Sequence, residues 1–264
     1  MIRLAHLSDT HLVADPGGLV SGHDSAANLV SVVDAFPSRP DVVVVTGDVS
    51  EDGAPDAYRA ARAITAQLAR EVHYVAGNHD DRANMSAVLD SATAFRMVDL
   101  SRNWTMALVS SQWEGNGAGR VEAATLARLD DALAAATTNV VVCLHHPPRS
   151  TCSYPYCGID NGAEVLGVLT ARPRVRAVLS GHLHRRFDTT YDGIRFIGAP
   201  STLRQLKHAG SQAHFIATPG PPAAGLIELH DDGAIVNHHV STGRRQPGAY
   251  WRRIWQRPSW LPTR

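Results

Sequence analysis

With 264 residues, 44% hydrophobic and 19% charged, the chain is long enough for a large core and too apolar to be disordered. Its 25 basic and 25 acidic residues cancel, which excludes a global charge that would recruit a nucleic-acid polymer or an anionic membrane. Any anionic ligand must therefore meet a local positive centre. No stretch approaches the ~18–20 apolar residues of a membrane span. No cationic, apolar leader precedes Ile2, and three cysteines do not make a secreted disulfide framework, so a cytoplasmic location is expected.

In chain order, residues 2–9 (IRLAHLSD) read as a buried strand and 24–36 as a helix with Asp24 at its N-cap. The run DVVVVTGDV (41–49) is β-branched almost throughout, as in a strand covered on both faces. A helix follows over 54–70, with Pro55 in its first turn, then a strand over 72–78 and a helix over 81–91. Residues 96–110 read as an antiparallel pair, 121–136 as a helix, 139–146 as another buried strand, 161–172 as a helix and 175–182 as a strand. Beyond Phe187 the pattern changes to short strands joined by turns. βα units first and hairpins later predict an α/β layered fold with mixed sheets. One domain is expected over 1–245, with a C-terminal appendix at 246–264.

Polar residues gather where these strands end. They are Asp9 and His11, then Asp48, then Asn78, His79 and Asp80, then His145, and finally His182 and His184. One such cluster is an ordinary turn; five at consecutive strand ends point to a shared site. Carboxylate, imidazole and one amide carbonyl, without thiolate, suit borderline or hard divalent ions. There are enough ligands for two, and Asp48 is the natural bridge. Two divalent ions outweigh the nearby carboxylates, leaving a positive site suited to a phosphate ester.

The ordered segments SDTH, GDVS, GNHD, LHHP and GHLH, spanning residues 8–184, resemble the calcineurin-like metallophosphoesterase superfamily. With APSTLRQ (199–205) they are most similar to class III cyclic nucleotide phosphodiesterases and bacterial glycerophosphodiesterases. The resemblance implies a four-layer αββα sandwich of two mixed sheets flanked by helices. It implies a binuclear centre with Asp9, His11 and His184 on one ion, Asn78, His145 and His182 on the other, and Asp48 shared. Iron and manganese are the expected metals, with zinc or cobalt also compatible. It further implies attack of a bridging hydroxide on a phosphodiester, with His79 over the substrate and Asp80 as its orienting partner. The substrate it suggests first is a 3',5'-cyclic nucleotide. A glycerophosphodiester or a broad range of phosphodiesters is the alternative, and a non-catalytic scaffold a distant third.

Four further residues are candidate substrate contacts. Asn116 stands in a loop where the family has a histidine, and His146 follows His145 directly and has a supporting role as its other reading; Arg204 and Gln205 could reach a nucleobase or a second phosphate oxygen, with a solvated loop as their preferred reading. Three tryptophans and four arginines in residues 250–264 are expected to pack on the parent domain or a second subunit, with a homodimer preferred. Cys143 belongs to the core. Cys152 and Cys157 match no C-x-x-C pattern and are expected to bind no metal; a disulfide between them is open, though disfavoured in a reducing compartment.

Overall fold

The computed structural model describes residues 1–90, 93–149, 152, 155–208 and 215–243. Three parallel neighbours, β1 (Ile2–Leu7), β2 (Val42–Thr46) and β3 (Glu71–Val75), form one half of the first sheet. Antiparallel β12 (Ala223–Leu229) and β13 (Ile235–Ser241) extend it beyond β1, in the order β13-β12-β1-β2-β3. The second sheet contains β4 (Phe95–Ser101), β5 (Trp104–Val109), β6 (Asn139–Cys143), β7 (Val175–Ser180), β8 (Phe187–Tyr191) and β9 (Ile194–Gly198). Its order is β4-β5-β6-β7-β9-β8, with β5, β6, β7 and β9 parallel and the two edges antiparallel.

The near-continuous apolar runs are explained by burial on both faces. In β2, Val42 and Val44 join the layer between the sheets, where Leu4, Trp104, Met106, Cys143 and Leu179 also pack. Val43 and Val45 point the other way, into a cluster with α1 (Ser25–Asp34), α2 (Pro55–Thr65) and α3 (Arg82–Leu89). The outer face of the second sheet is covered likewise by α4 (Ala123–Ala135) and α5 (Gly162–Thr170). Helix, sheet, sheet, helix is the expected αββα sandwich. Asp24 caps α1 by accepting from the Ala27 N–H, and Pro55 opens α2, both as read from the sequence.

Two differences bear on the site. The strands that bear the motifs end two or three residues before the first site residue of each, and these residues lie in the turns that follow. In addition, residues expected as a loop at Arg204–Gln205 lead straight into β10 (Gln205–His208), which pairs with β11 (Phe215–Thr218) as a separate two-stranded ribbon. The Trp/Arg-rich tail, with the homodimer expected of it, lies outside the described residues.

Candidate metal centre

All five motif segments leave the carboxyl ends of parallel strands β1, β2, β3, β6 and β7, so both sheets deliver them to one rim. The turns are tight. Among the described residues eight non-glycine positions have left-handed φ, and five of them are Asp9 (53°), His11 (45°), Asp48 (48°), His182 (68°) and His184 (45°). Such backbone costs on the order of 1–3 kcal/mol per residue and persists only where the surroundings enforce it. Gly47 (φ 89°) and Gly77 are required by closeness as well. A Cβ on the first would overlap the His145 ring, and one on the second would overlap Asp48.

Asp9, His11, Asp48 and His184, all buried, form one group with donor atoms within 4.8 Å of one another. The Glu51 carboxylate accepts from His11 Nδ1 at 2.6 Å, and the Arg204 carbonyl accepts from His184 Nδ1 at 3.1 Å. Those partners only accept, so each ring offers a bare Nε2 in its neutral form. The two Nε2 atoms face each other at 3.0 Å. Two lone pairs at that distance require a proton or a metal cation between them. Asp9 adds to the demand: its Oδ1 accepts from the His182 N–H at 3.0 Å, while Oδ2 is buried without a partner among the described residues.

The second group repeats the logic. His145 donates Nδ1–H to the Thr46 carbonyl at 2.7 Å, which turns its Nε2 toward Asn78 Oδ1 at 3.2 Å and Asp48 Oδ2 at 3.3 Å. His182 gives Nε2–H to the Tyr156 carbonyl, leaving Nδ1 as its free donor. The His145 and His182 ring centroids are 5.1 Å apart. Asp48 joins the two groups: Oδ1 accepts from the His79 N–H at 2.9 Å, and Oδ2 lies 3.7 Å from His11 Nε2.

Protonation equilibria show the same need for positive charge. Burial opposes a charge on His145, yet Asp48 beside it holds its pKa up at about 9. Burial likewise opposes a charge on His11, but Glu51, Asp48 and Asp9 push its pKa above the ordinary value. Burial raises Asp9 to about 6, with Asp48 adding to the rise. His182 is lowered to about 4 by burial and then by His145. Divalent cations replace these protons without changing the donor set. The residues present therefore fit a dinuclear divalent metal site.

Residues 2–186 match the family model described as calcineurin-like phosphoesterase. The chain belongs to that family. Within it, the chain is 32% identical over 240 residues to the 3',5'-cyclic adenosine monophosphate phosphodiesterase CpdA of Pseudomonas aeruginosa, covering 89% of this chain and 88% of the relative. It is also 32% identical to a cAMP/cGMP dual specificity phosphodiesterase of Mycobacterium tuberculosis, covering 88% and 77%. Among solved structures, a dimetal phosphatase from Danio rerio has the same fold, with a TM-score of 0.70, 17% identity and 91% and 96% coverage.

In this phosphoesterase, His79 lies on the wall of a half-open cleft of about 280 Å³ above the metal groups. The expectation that Asp80 orients it is overturned. Asp80 is buried, and its carboxylate accepts from the Val49, Ser50 and Gly77 N–H groups, bracing the loops instead. The carboxylate beside His79 is Glu51, 3.3 Å from Nδ1. Glu51 was missed in the sequence, although it stands three residues after Asp48 in the same loop.

Of the four substrate candidates, Arg204 alone lines the cleft. Asn116 folds back to accept from the Ala118 N–H, and its neighbour Gly117 faces the cleft instead. Gln205 ties the Ser201 and Pro221 carbonyls together. His146 is fully buried, bonded through Nδ1 to Ser111 Oγ at 2.9 Å, with its ring 4.4 Å from that of His182; it does not line the cleft, and its donor atom lies within 4.8 Å of those of His145 and His182. Cys152 and Cys157, whose pairing the sequence left open, are paired. The short 3-10 turn Pro155–Cys157 brings their Cα atoms to 6.1 Å, a separation that a disulfide spans.

Proposed function

We propose that the chain hydrolyses 3',5'-cyclic nucleotides at a two-metal centre. Asp9, His11 and His184 would hold one ion, Asn78, His145 and His182 the other, and Asp48 both. The observation that carries this reading is the meeting of two acceptor-lined groups at the single Asp48 carboxylate, 3.3 Å from His145 and 3.7 Å from His11. When bound, the two ions supply Lewis acidity toward phosphoryl oxygens and lower the pKa of water. Iron and manganese are the metals this donor set suits first, with zinc or cobalt also accommodated. A cytoplasmic setting belongs to the same reading, and no described helix is long and apolar enough to cross a membrane.

The remaining steps fall to the protein. His11 and His145 are fixed in orientation by Glu51 and by the Thr46 carbonyl, so their Nε2 donors are aimed before substrate arrives. His79, half-exposed at the cleft wall with Glu51 at its Nδ1, is placed to pass a proton to the departing ribose oxygen. Counting Glu51, three carboxylates and the hydroxide nucleophile would balance two divalent ions, so a phosphodiester anion would meet a cleft without net negative charge.

The choice of cyclic nucleotide rests on the relatives, which are named as cyclic nucleotide phosphodiesterases. The glycine wall at Gly117 favours a wider phosphodiester range as the second reading, since no side chain reads the substrate there. Manganese-reconstituted protein assayed against cyclic AMP, cyclic GMP, bis-p-nitrophenyl phosphate and glycerophosphodiesters separates the two. Turnover of the cyclic nucleotides with the highest kcat/KM supports the first reading. Comparable values across all diesters support the second, and no diester turnover with any of the four metals rejects both.

A further inference from the structure

Arg204 is the only lysine or arginine among the described residues that line the cleft. Its Nε is buried, and its guanidinium has no hydrogen-bond or ion-pair partner among the described residues. Its backbone, in contrast, is fully committed. The N–H donates to Ser201 Oγ at 3.3 Å, and the carbonyl accepts from His184 Nδ1 at 3.1 Å. The preceding carbonyl, of Leu203, accepts from Asn28 Nδ2 at 3.0 Å, and the next side chain, Gln205, is tied to the Ser201 and Pro221 carbonyls. A fixed backbone and a buried Nε limit the conformations open to this side chain before ligand arrives, which reduces the entropy lost on binding.

Its surroundings suggest which part of a ligand it meets. Val20, Leu203 and Leu206 supply apolar wall beside it, and Tyr156 adds an aromatic ring to the same cleft. Apolar and aromatic walls with one donor group suit a flat heterocycle rather than a bare phosphate. On the two-metal reading, the phosphate's charge would be met at the metal centre. Resting on the cyclic nucleotide reading above, we infer that Arg204 is a specificity residue that donates to the purine base and favours guanine over adenine. The reason is hydrogen-bond complementarity. Guanine presents two acceptors, N7 and O6, to a forked donor. Adenine presents N7 beside an N6 donor, which a guanidinium cannot satisfy.

The test compares three substrates on metal-loaded enzyme: cyclic GMP, cyclic AMP and bis-p-nitrophenyl phosphate, which has no base. Arg204→Ala is expected to lower kcat/KM for cyclic GMP by about 5- to 150-fold, the span of one good bidentate base contact, chiefly through KM. The loss for cyclic AMP should be at most about half as large on a logarithmic scale, with bis-p-nitrophenyl phosphate within about twofold. Arg204→Gln, whose amide pairs with adenine N6 and N7, should move the preference toward cyclic AMP. Equal losses on all three substrates would assign the guanidinium to the phosphate or to the fold and overturn the inference, as would no loss on any. Wild-type enzyme that cleaves bis-p-nitrophenyl phosphate but neither cyclic nucleotide would instead reject the substrate reading on which it rests.

Discussion

Asp48→Asn is expected to leave a folded protein that retains at most one tightly bound divalent ion and loses phosphodiester turnover by about a thousandfold or more. The substitution preserves shape. The carbonyl oxygen of the new amide would still accept from the His79 N–H, as Asp48 Oδ1 does at 2.9 Å. What changes is the second atom, now an NH₂ group directed at His145 Nε2 and His11 Nε2, where Asp48 Oδ2 lies at 3.3 and 3.7 Å. A donor there satisfies the imidazole lone pairs and repels a cation. The same change removes the negative charge that raises His145 to about 9, so the demand for positive charge falls on both sides of the bridge. Metal analysis after gel filtration, together with circular dichroism, separates loss of metal from loss of fold. Two retained ions with near-normal turnover would show that Asp48 does not bridge.

His79→Ala is expected to keep both metals and lower kcat by about 10²–10⁴. The metals should stay because His79 supports Asp48 through its backbone N–H, which alanine keeps. The rate should fall because the side chain is half-exposed in the cleft, with Glu51 3.3 Å from Nδ1 leaving the other ring nitrogen for the substrate. Proton donation matters most for a poor leaving group. A ribose alkoxide should therefore suffer more than p-nitrophenolate, and the loss on cyclic AMP should exceed that on bis-p-nitrophenyl phosphate by at least about tenfold. Equal losses on the two substrates would assign His79 to charge stabilisation. Unchanged kcat on both would remove it from the reaction.

The layered fold was legible because burial on both faces writes unbroken β-branched runs such as Val42–Val45, whose members divide between the two core layers. The clustering of candidate ligands was legible because five successive strand ends carrying carboxylate or imidazole exceed what ordinary turns explain, although any one of them does not. What the sequence hid was direction. Asp80 follows His79 in sequence, but the turn sends its carboxylate to three backbone N–H groups, and Glu51 from another loop takes the place beside His79. His146 follows His145 and turns beneath it toward Ser111. Asn116 and Gln205 serve their own loops, as short polar side chains near turns often do. The Cys152–Cys157 pair was discounted on compartment, whereas local backbone geometry brings the two together.

The position of bound metal is the most direct test of the dinuclear centre. Crystals of the manganese-loaded protein, measured for anomalous scattering, should show two peaks per chain on either side of Asp48. One should lie among Asp9, His11 and His184, and the other among Asn78, His145 and His182. A single peak, or two peaks of which either lies away from these residues, would contradict the dinuclear centre.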